Sequence, residues 1–253
     1  MVLLRHGHSA GNAAGSFTGW RDVPLTDRGR AEAARAAELL VEHGCAPAVV
    51  HTSVLARAVD TAAVAIGELV ARGAAHPWAR QDWRLNERHY GALQGCARSA
   101  VVERYGAEQF TRWRRGFSDV PPPVPPDHPD HPARDPRYAG LPAGLLPGAE
   151  SLADVRDRVA RWWSGAAARL RPGVPVLVVA HSNSLRALCM LLDDLAPAEV
   201  ERLDLPTGVP LRYDLDADLV PWRRGGAYLD PEAARVGVAE VRSQGHRDRS
   251  SDG

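Results

Sequence analysis

Two short, uniformly apolar runs, Val2-Leu3-Leu4 near the start and Val176-Leu177-Val178-Val179-Ala180 far downstream, each lead straight into a histidine. Runs of this kind are the signature of strands buried on both faces of a parallel sheet. The turns that follow them are Arg5-His6-Gly7 and His181-Ser182-Asn183. In an open α/β sheet, ligands bind beyond the carboxyl ends of the strands, so His6 and His181 can meet there although most of the chain separates them.

Helical periodicity fills the intervals. Ala34, Ala37, Leu40 and Val41 lie on one face of a helix over 26–43 that stops at Gly44. Ala48-Val49-Val50 reads as a second buried strand, followed by a helix over 54–72 with Val59, Ala63, Ile66 and Val70 in register. Further on, Leu152, Val155, Val159, Trp162 and Leu170 outline a helix, 174–180 a strand, 185–195 a helix and 211–215 an edge strand. Strands alternating with helices predict a three-layer α/β/α sandwich with a mostly parallel sheet. The 253 residues, 45% of them apolar, suit one domain. Within it, the proline-rich stretch 120–147 excludes regular helix or central strand and reads as an insertion, a candidate lid. The tail from 225 to 253 shows no apolar periodicity and is expected to be mobile beyond Gln244.

Composition removes several classes. Lys plus Arg and Asp plus Glu stand at 31 each, so there is no basic footprint for nucleic acid. Cys45, Cys96 and Cys189 are odd in number and widely spaced, which indicates neither a disulfide framework nor a zinc site and suits a reducing cytoplasm. No apolar run approaches the roughly 20 residues that span a bilayer. His128 and His131 sit between prolines without evident partner ligands, so no metal is expected there.

Arg5-His6-Gly7 places an imidazole beside a guanidinium at a turn, with Gly7 allowing close backbone approach to a ligand. A neutral imidazole nitrogen can attack phosphorus, and phosphoryl transfer needs fixed cations around three oxygens. Arg5, His181 and Arg57, which lies just past the second strand, can form that cage. Each residue also has an ordinary structural reading, a packed or solvated histidine above all; two histidines in matching positions favour the chemical one.

At this point the chain resembles the 2,3-bisphosphoglycerate-dependent phosphoglycerate mutases of the histidine phosphatase superfamily. The resemblance runs from about Val2 to Val220. It rests on Arg5-His6-Gly7, Asn12, Phe17-Thr18-Gly19-Trp20, Thr52-Ser53-Val54-Leu55 with Arg57, the block from Arg84 to Gly95, Trp113-Arg114-Arg115, Asp135 to Gly140 and Leu205-Pro206-Thr207-Gly208. It implies His6 as the phosphorylated nucleophile and Arg5, Arg57 and His181 as its phosphoryl cage, completed by Asn12 and the backbone near Asn183. Glu87 would be the general acid and base, and Tyr90, Arg98, Arg114 and Arg115, with Thr18 and Gly19 nearby, would hold the substrate carboxylate and distal phosphate. A small phosphorylated substrate, 2,3-bisphosphoglycerate as priming donor, no metal, and a homodimer or tetramer follow from the same resemblance. The residue-level alternatives are Glu87 paired with Arg84 or Arg88, and an amphipathic helix burying Phe110, Trp113 and Phe117 while its arginines face solvent.

The chain departs from the family pattern at His8, Gly11, Arg98 and Ser182, where the family has Glu, Trp, Lys and Gly. Ser182 puts a side chain where the backbone approaches phosphate closely. The expected activity is interconversion of 3-phosphoglycerate and 2-phosphoglycerate; the alternatives are a phosphatase of a small phosphomonoester, a paralogue with another phosphorylated substrate, and a phosphate-binding protein without turnover.

Overall fold

Backbone pairing turns these runs into one six-stranded sheet, seen in a computed structural model that describes residues 1–170 and 173–243. Its strands are β1 (Val2–Arg5), β2 (Val49–Thr52), β3 (Trp78–Gln81), β4 (Val176–Ala180), β5 (Leu211–Arg212) and β6 (Ala227–Tyr228), in the order β3-β2-β4-β1-β5-β6. The first four run parallel, and β5 and β6 join antiparallel. The stretch read as an edge strand, 211–215, is therefore shorter than expected and is covered by β6. Strand β3 went unread because all four of its residues are exposed, leaving no apolar pattern.

The helices are α1 (Ala10–Ala13), α2 (Asp27–Glu42), α3 (Ala56–Ala71), α4 (Arg98–Arg115), α5 (Leu152–Ala167), α6 (Ser182–Asp193), α7 (Pro197–Glu201) and α8 (Pro231–Ser243). Successive strand residues point to opposite faces, so each apolar run feeds two cores. Val2, Leu4, Leu177 and Val179 pack with Ala36 and Leu40 of α2 and Ala62 and Ile66 of α3. Leu3, Val176 and Val178 pack with Val155, Val159 and Trp162 of α5 and Leu185 and Leu188 of α6. Burying each such Leu or Val contributes about 1.5–3 kcal/mol, which is what makes these central strands the rigid base of the site.

One expectation about the chain's later parts is corrected, that of the tail. The insertion over 120–147 forms 3-10 turns at Pro132–Arg134, Pro136–Tyr138 and Ala143–Leu145. Its Tyr138 ring packs 5.0 Å from Trp20 and beside Leu55, and its Asp130 and Arg137 pair with Arg21 and Asp22. His128 and His131 accept backbone N–H bonds from Asp130 and Ala133, each at 3.1 Å, and so serve as turn caps. The tail is ordered through β6 and α8; the expected mobility beyond Gln244 falls outside the described residues. The signal for α8 was present in Ala234, Val238 and Val241, spaced four and three apart, but charged neighbours diluted it. No helix among the described residues is long and apolar enough to cross a membrane.

Candidate active site

Parallel register places the two histidines together: Arg5 pairs with Ala180, so the next residues, His6 and His181, leave β1 and β4 side by side. The His6 N–H donates to Ala180 O at 2.9 Å, and the two rings lie 5.1 Å apart. His6 Nδ1 is 2.7 Å from Gly7 O. A carbonyl only accepts, so Nδ1 carries the proton and Nε2 keeps its lone pair for attack. Gly7 has a different reason from the one expected. A Cβ there would lie 2.2 Å from Gly29 O, and one on Gly29 would lie 2.0 Å from His8 O, so the turn hugs the α2 backbone and not a ligand.

Burial comes first, and the Arg57 and Arg5 charges second, in holding His6 well below the ordinary histidine range. His181 is depressed likewise by burial, then by Arg57 and His6. In the folded protein both stay neutral where the unfolded chain is protonated. Below about pH 6.5 the unfolded state takes up protons that the folded state refuses, so stability falls with falling pH, by up to about 1.4 kcal/mol per pH unit for each histidine until the depressed folded value is reached. Urea unfolding between pH 7 and 5 in phosphate-free buffer should show a shallower pH slope for His6→Gln than for wild type. Equal slopes would mean that His6 is not held neutral.

Around His6 the guanidinium groups are pinned by the backbone. Arg5 donates through Nη1 to Leu205 O at 2.7 Å, while its buried Nε has no partner. Arg57, at the start of α3, donates to Gly19 O at 2.8 Å and Arg21 O at 3.0 Å. Burial lowers Arg57 only to about 10, so it stays charged at neutral pH. One cavity is lined by Arg5, His6, Asn12, Thr18, Gly19, Arg57, Glu87, Tyr90, Arg98, Arg114, Arg115, Ser182 and Asn183. Thus every residue expected at the site lines it except His181, which is fully buried with its ring 5.1 Å from that of His6. Asn12 closes the capping box of α1 with the N-cap Ser9, its Oδ1 accepting from the Ser9 N–H at 3.0 Å and hydroxyl at 2.9 Å. Buried Gly11 packs against Thr18, whose Oγ1 would lie 2.2 Å from an added Cβ. Half-buried Ser182 opens α6 at the cavity wall.

Glu87 is not paired with Arg84 or Arg88. Arg84 binds Asp82, and the buried Arg88 side chain binds the carbonyls of Glu150, Gly116 and Asp119. Instead Glu87 Oε1 accepts the backbone N–H groups of Arg88 at 2.8 Å and Asn183 at 3.1 Å, which aims it into the cavity. The amphipathic alternative for α4 is half right: Phe110 and Trp113 are buried, but Arg114 and Arg115 face the cavity, not open solvent. Burial and the neighbouring Arg98 and Arg115 lower Arg114 to about 10.

Four further lining residues, Ser9, Ser16, Arg186 and Val241, escaped the sequence reading. Arg186 lay inside a stretch recognised only as helix. Its Nη1 donates to Asn183 Oδ1 at 2.8 Å, and Asn183 Nδ2 donates to the Tyr90 hydroxyl at 2.9 Å. Val241 brings α8 to the cavity rim, where its carbonyl accepts from Arg114 Nη2 at 3.0 Å. Glu240 holds Arg28 at 2.7 Å, and Asp204 holds both Arg115 and Arg242. Six arginines thus face one acidic side chain in this cavity, an excess of positive charge suited to a polyanion. Among the described residues, no group of three or more His, Cys, Asp or Glu is placed to hold a metal ion.

A neutral histidine at the carboxyl end of a parallel sheet, caged by fixed guanidinium groups, has the arrangement that histidine-type phosphoryl transfer requires. The chain belongs to the histidine phosphatase superfamily (branch 1), whose family model matches residues 1–218. Curated relatives are closer in kind: the 2,3-bisphosphoglycerate-dependent phosphoglycerate mutases of Rhodococcus jostii (strain RHA1) and Mycobacterium tuberculosis (strain ATCC 25618 / H37Rv) are each 49% identical over 248 residues, 97% of this chain and 96% and 97% of theirs. Among solved structures, a mycobacterial glucosyl-3-phosphoglycerate phosphatase complexed with VO3 superposes at TM-score 0.63 and 27% identity, covering 84% of this chain and 92% of that one. Mycobacterial hydrolase 1 shares the fold at TM-score 0.67 and 24% identity, over 90% of this chain and 99% of its own.

Proposed function

We propose that the protein is a cofactor-dependent phosphoglycerate mutase, interconverting 3-phosphoglycerate and 2-phosphoglycerate through a phosphohistidine at His6. The observation that carries this reading is the division of cations within one cavity. Arg5 and Arg57 attend the nucleophile, while Arg98, Arg114 and Arg115 form a second group that acts electrostatically on itself. A site for a simple phosphomonoester needs the first group only; a phosphoglycerate, with its carboxylate and phosphate, uses both. The 49% identity to mutases over nearly the whole chain supports the same choice.

The buried, unpartnered Arg5 Nε and His181 Nδ1 beside His6 fit a bound phosphoryl group, which would supply the acceptors they lack. 2,3-Bisphosphoglycerate supplies the priming phosphoryl group, with Arg5, Arg57 and His181 holding it and Asn12 and Ser182 at its margin. Arg98, Arg114, Arg115 and Tyr90 hold the rest of the substrate. As the N–P bond of phosphorylated His6 breaks and an O–P bond forms, Glu87 takes the proton of the attacking substrate hydroxyl, and it returns a proton in the reverse step. An enolase-coupled assay should show isomerisation stimulated by 2,3-bisphosphoglycerate, and release of inorganic phosphate without isomerisation would favour the phosphatase reading.

Water must be kept from the phosphohistidine, and α8 is the element placed to do so. Ending the chain after Asp230 removes Val241 from the rim along with the Glu240 and Arg242 ion pairs. The ratio of hydrolysis to transfer should rise several-fold; a ratio equal to wild type would show that α8 plays no part in excluding water.

A further inference from the structure

Among the described residues, the Ser53 hydroxyl is the polar group bonded to the His181 ring, and its part is unassigned. Ser53 follows β2, is fully buried, and puts its Oγ 2.7 Å from His181 Nε2. The same oxygen accepts the Leu55 N–H at 3.2 Å, which occupies one lone pair. A hydroxyl has one hydrogen to give, and among the described residues the only acceptor bonded to Ser53 Oγ is His181 Nε2. If His181 Nε2 carried the proton instead, the serine hydrogen would be buried with no acceptor, a cost of about 1–3 kcal/mol. The direction Ser53 O–H to His181 Nε2 satisfies every atom of the pair.

We infer that Ser53 is a positioning residue that fixes His181 as its Nδ1–H tautomer, so that a neutral imidazole presents a donor to the phosphoryl group carried by His6. That Nδ1 is buried and has no partner among the described residues, 0% of His181 being exposed, while its ring lies 5.1 Å from that of His6. The opposite tautomer would turn a lone pair toward anionic oxygens and oppose transfer. The two histidines are therefore set in complementary ways by two different acceptors and donors. Gly7 O accepts a hydrogen bond from Nδ1–H of His6 and leaves its Nε2 as nucleophile, whereas the Ser53 hydroxyl donates a hydrogen bond to Nε2 of His181 and leaves its Nδ1–H as donor. Nothing in the order of residues reveals this, because Ser53 and His181 are brought together only by the parallel pairing of β2 with β4.

The role assigned to the His181 donor rests on the mutase reading, but the tautomer does not, and the experiment separates them. Nitrogen-15 NMR of the full chain labelled at histidine, with His181→Gln used to assign its signals, should show a pyrrole-type Nδ1 and a pyridine-type Nε2 for His181 at pH 7. A pyrrole-type Nε2, or an imidazolium, would overturn the inference outright and needs no Ser53 variant. In the coupled assay, Ser53→Ala should lower kcat about 10²-fold, the scale for losing one preorganised donor, with KM changed much less. In the His181→Gln background the same substitution should cost under about threefold, since a residue acting through His181 has nothing left to act on. Equal losses in both backgrounds would make Ser53 merely structural. Wild type lacking isomerisation while showing the Nδ1–H tautomer would defeat the mutase reading and leave the tautomer assignment standing.

Discussion

His6→Ala is expected to abolish cofactor-stimulated isomerisation, with a loss of roughly 10⁴-fold or more, because no other side chain in the cavity offers a nucleophile set up in this way. His6 is neutral, its Nδ1 is bonded to Gly7 O, and its Nε2 is left facing the cationic cage. His181 cannot take over, since its Nε2 is engaged by Ser53. Incubation with 2,3-bisphosphoglycerate and intact-mass measurement should show an acid-labile phosphoryl adduct on wild type and none on the variant. The variant should also unfold at a temperature close to wild type, because the substitution removes a buried imidazole next to two positive charges and breaks no ion pair. An adduct persisting on His6→Ala would sink the assignment of the nucleophile, whatever the activity.

Arg158→Leu should cause the largest loss of stability of any single change considered, about 3–5 kcal/mol, a drop in Tm of roughly 10 °C. Arg158 lies on α5, buried, and grips Glu150 through two hydrogen bonds of 2.7 and 2.9 Å. Its remaining N–H groups donate to the carbonyls of Arg84, Asn86 and Glu87, each at 2.8 Å. Removing it leaves the buried Glu150 carboxylate with only the His89 N–H and takes the donor from the carbonyls of Arg84 and Asn86, on the very segment that carries Glu87. Stability and activity should therefore fall together, whereas the double variant Arg158→Leu/Glu150→Leu should recover part of the stability but not the activity. Urea denaturation of the three proteins decides it: a loss below about 1 kcal/mol for Arg158→Leu would mean that water replaces the guanidinium at little cost.

What could be read from the residues differed sharply between scaffold and support. The central strands announced themselves because both faces are covered, so Val2 to Leu4 and Val176 to Ala180 are apolar without interruption. Helices α2, α3, α5 and α6 showed through their periodic apolar stripes. By contrast β3 has four exposed residues and is held by backbone pairing to β2, which leaves no trace in side-chain pattern. Closure was expected of the proline-rich insertion or the C-terminal tail; of the two it is the tail, through Val241 of α8, that lines the cavity, since prolines mark irregular backbone and say nothing of where that backbone packs.

At the site, chemistry was legible where residue type alone limits the possibilities. A histidine between an arginine and a glycine after a buried strand, and a second histidine after another, pointed to phosphoryl transfer before any geometry was known. The residues that orient these groups were not legible. Arg158, Arg186 and Ser53 act through hydrogen bonds to partners 71, 3 and 128 positions away, and an arginine or serine within a helix or turn is ordinarily just a solvated side chain. Strand burial and the residue types suited to the chemistry were thus determined by the sequence itself, through hydrophobic pattern and intrinsic reactivity. Tautomer, charge state and aim were decided only by the tertiary structure, because each depends on which donor or acceptor the fold brings to within about 3 Å of a given atom.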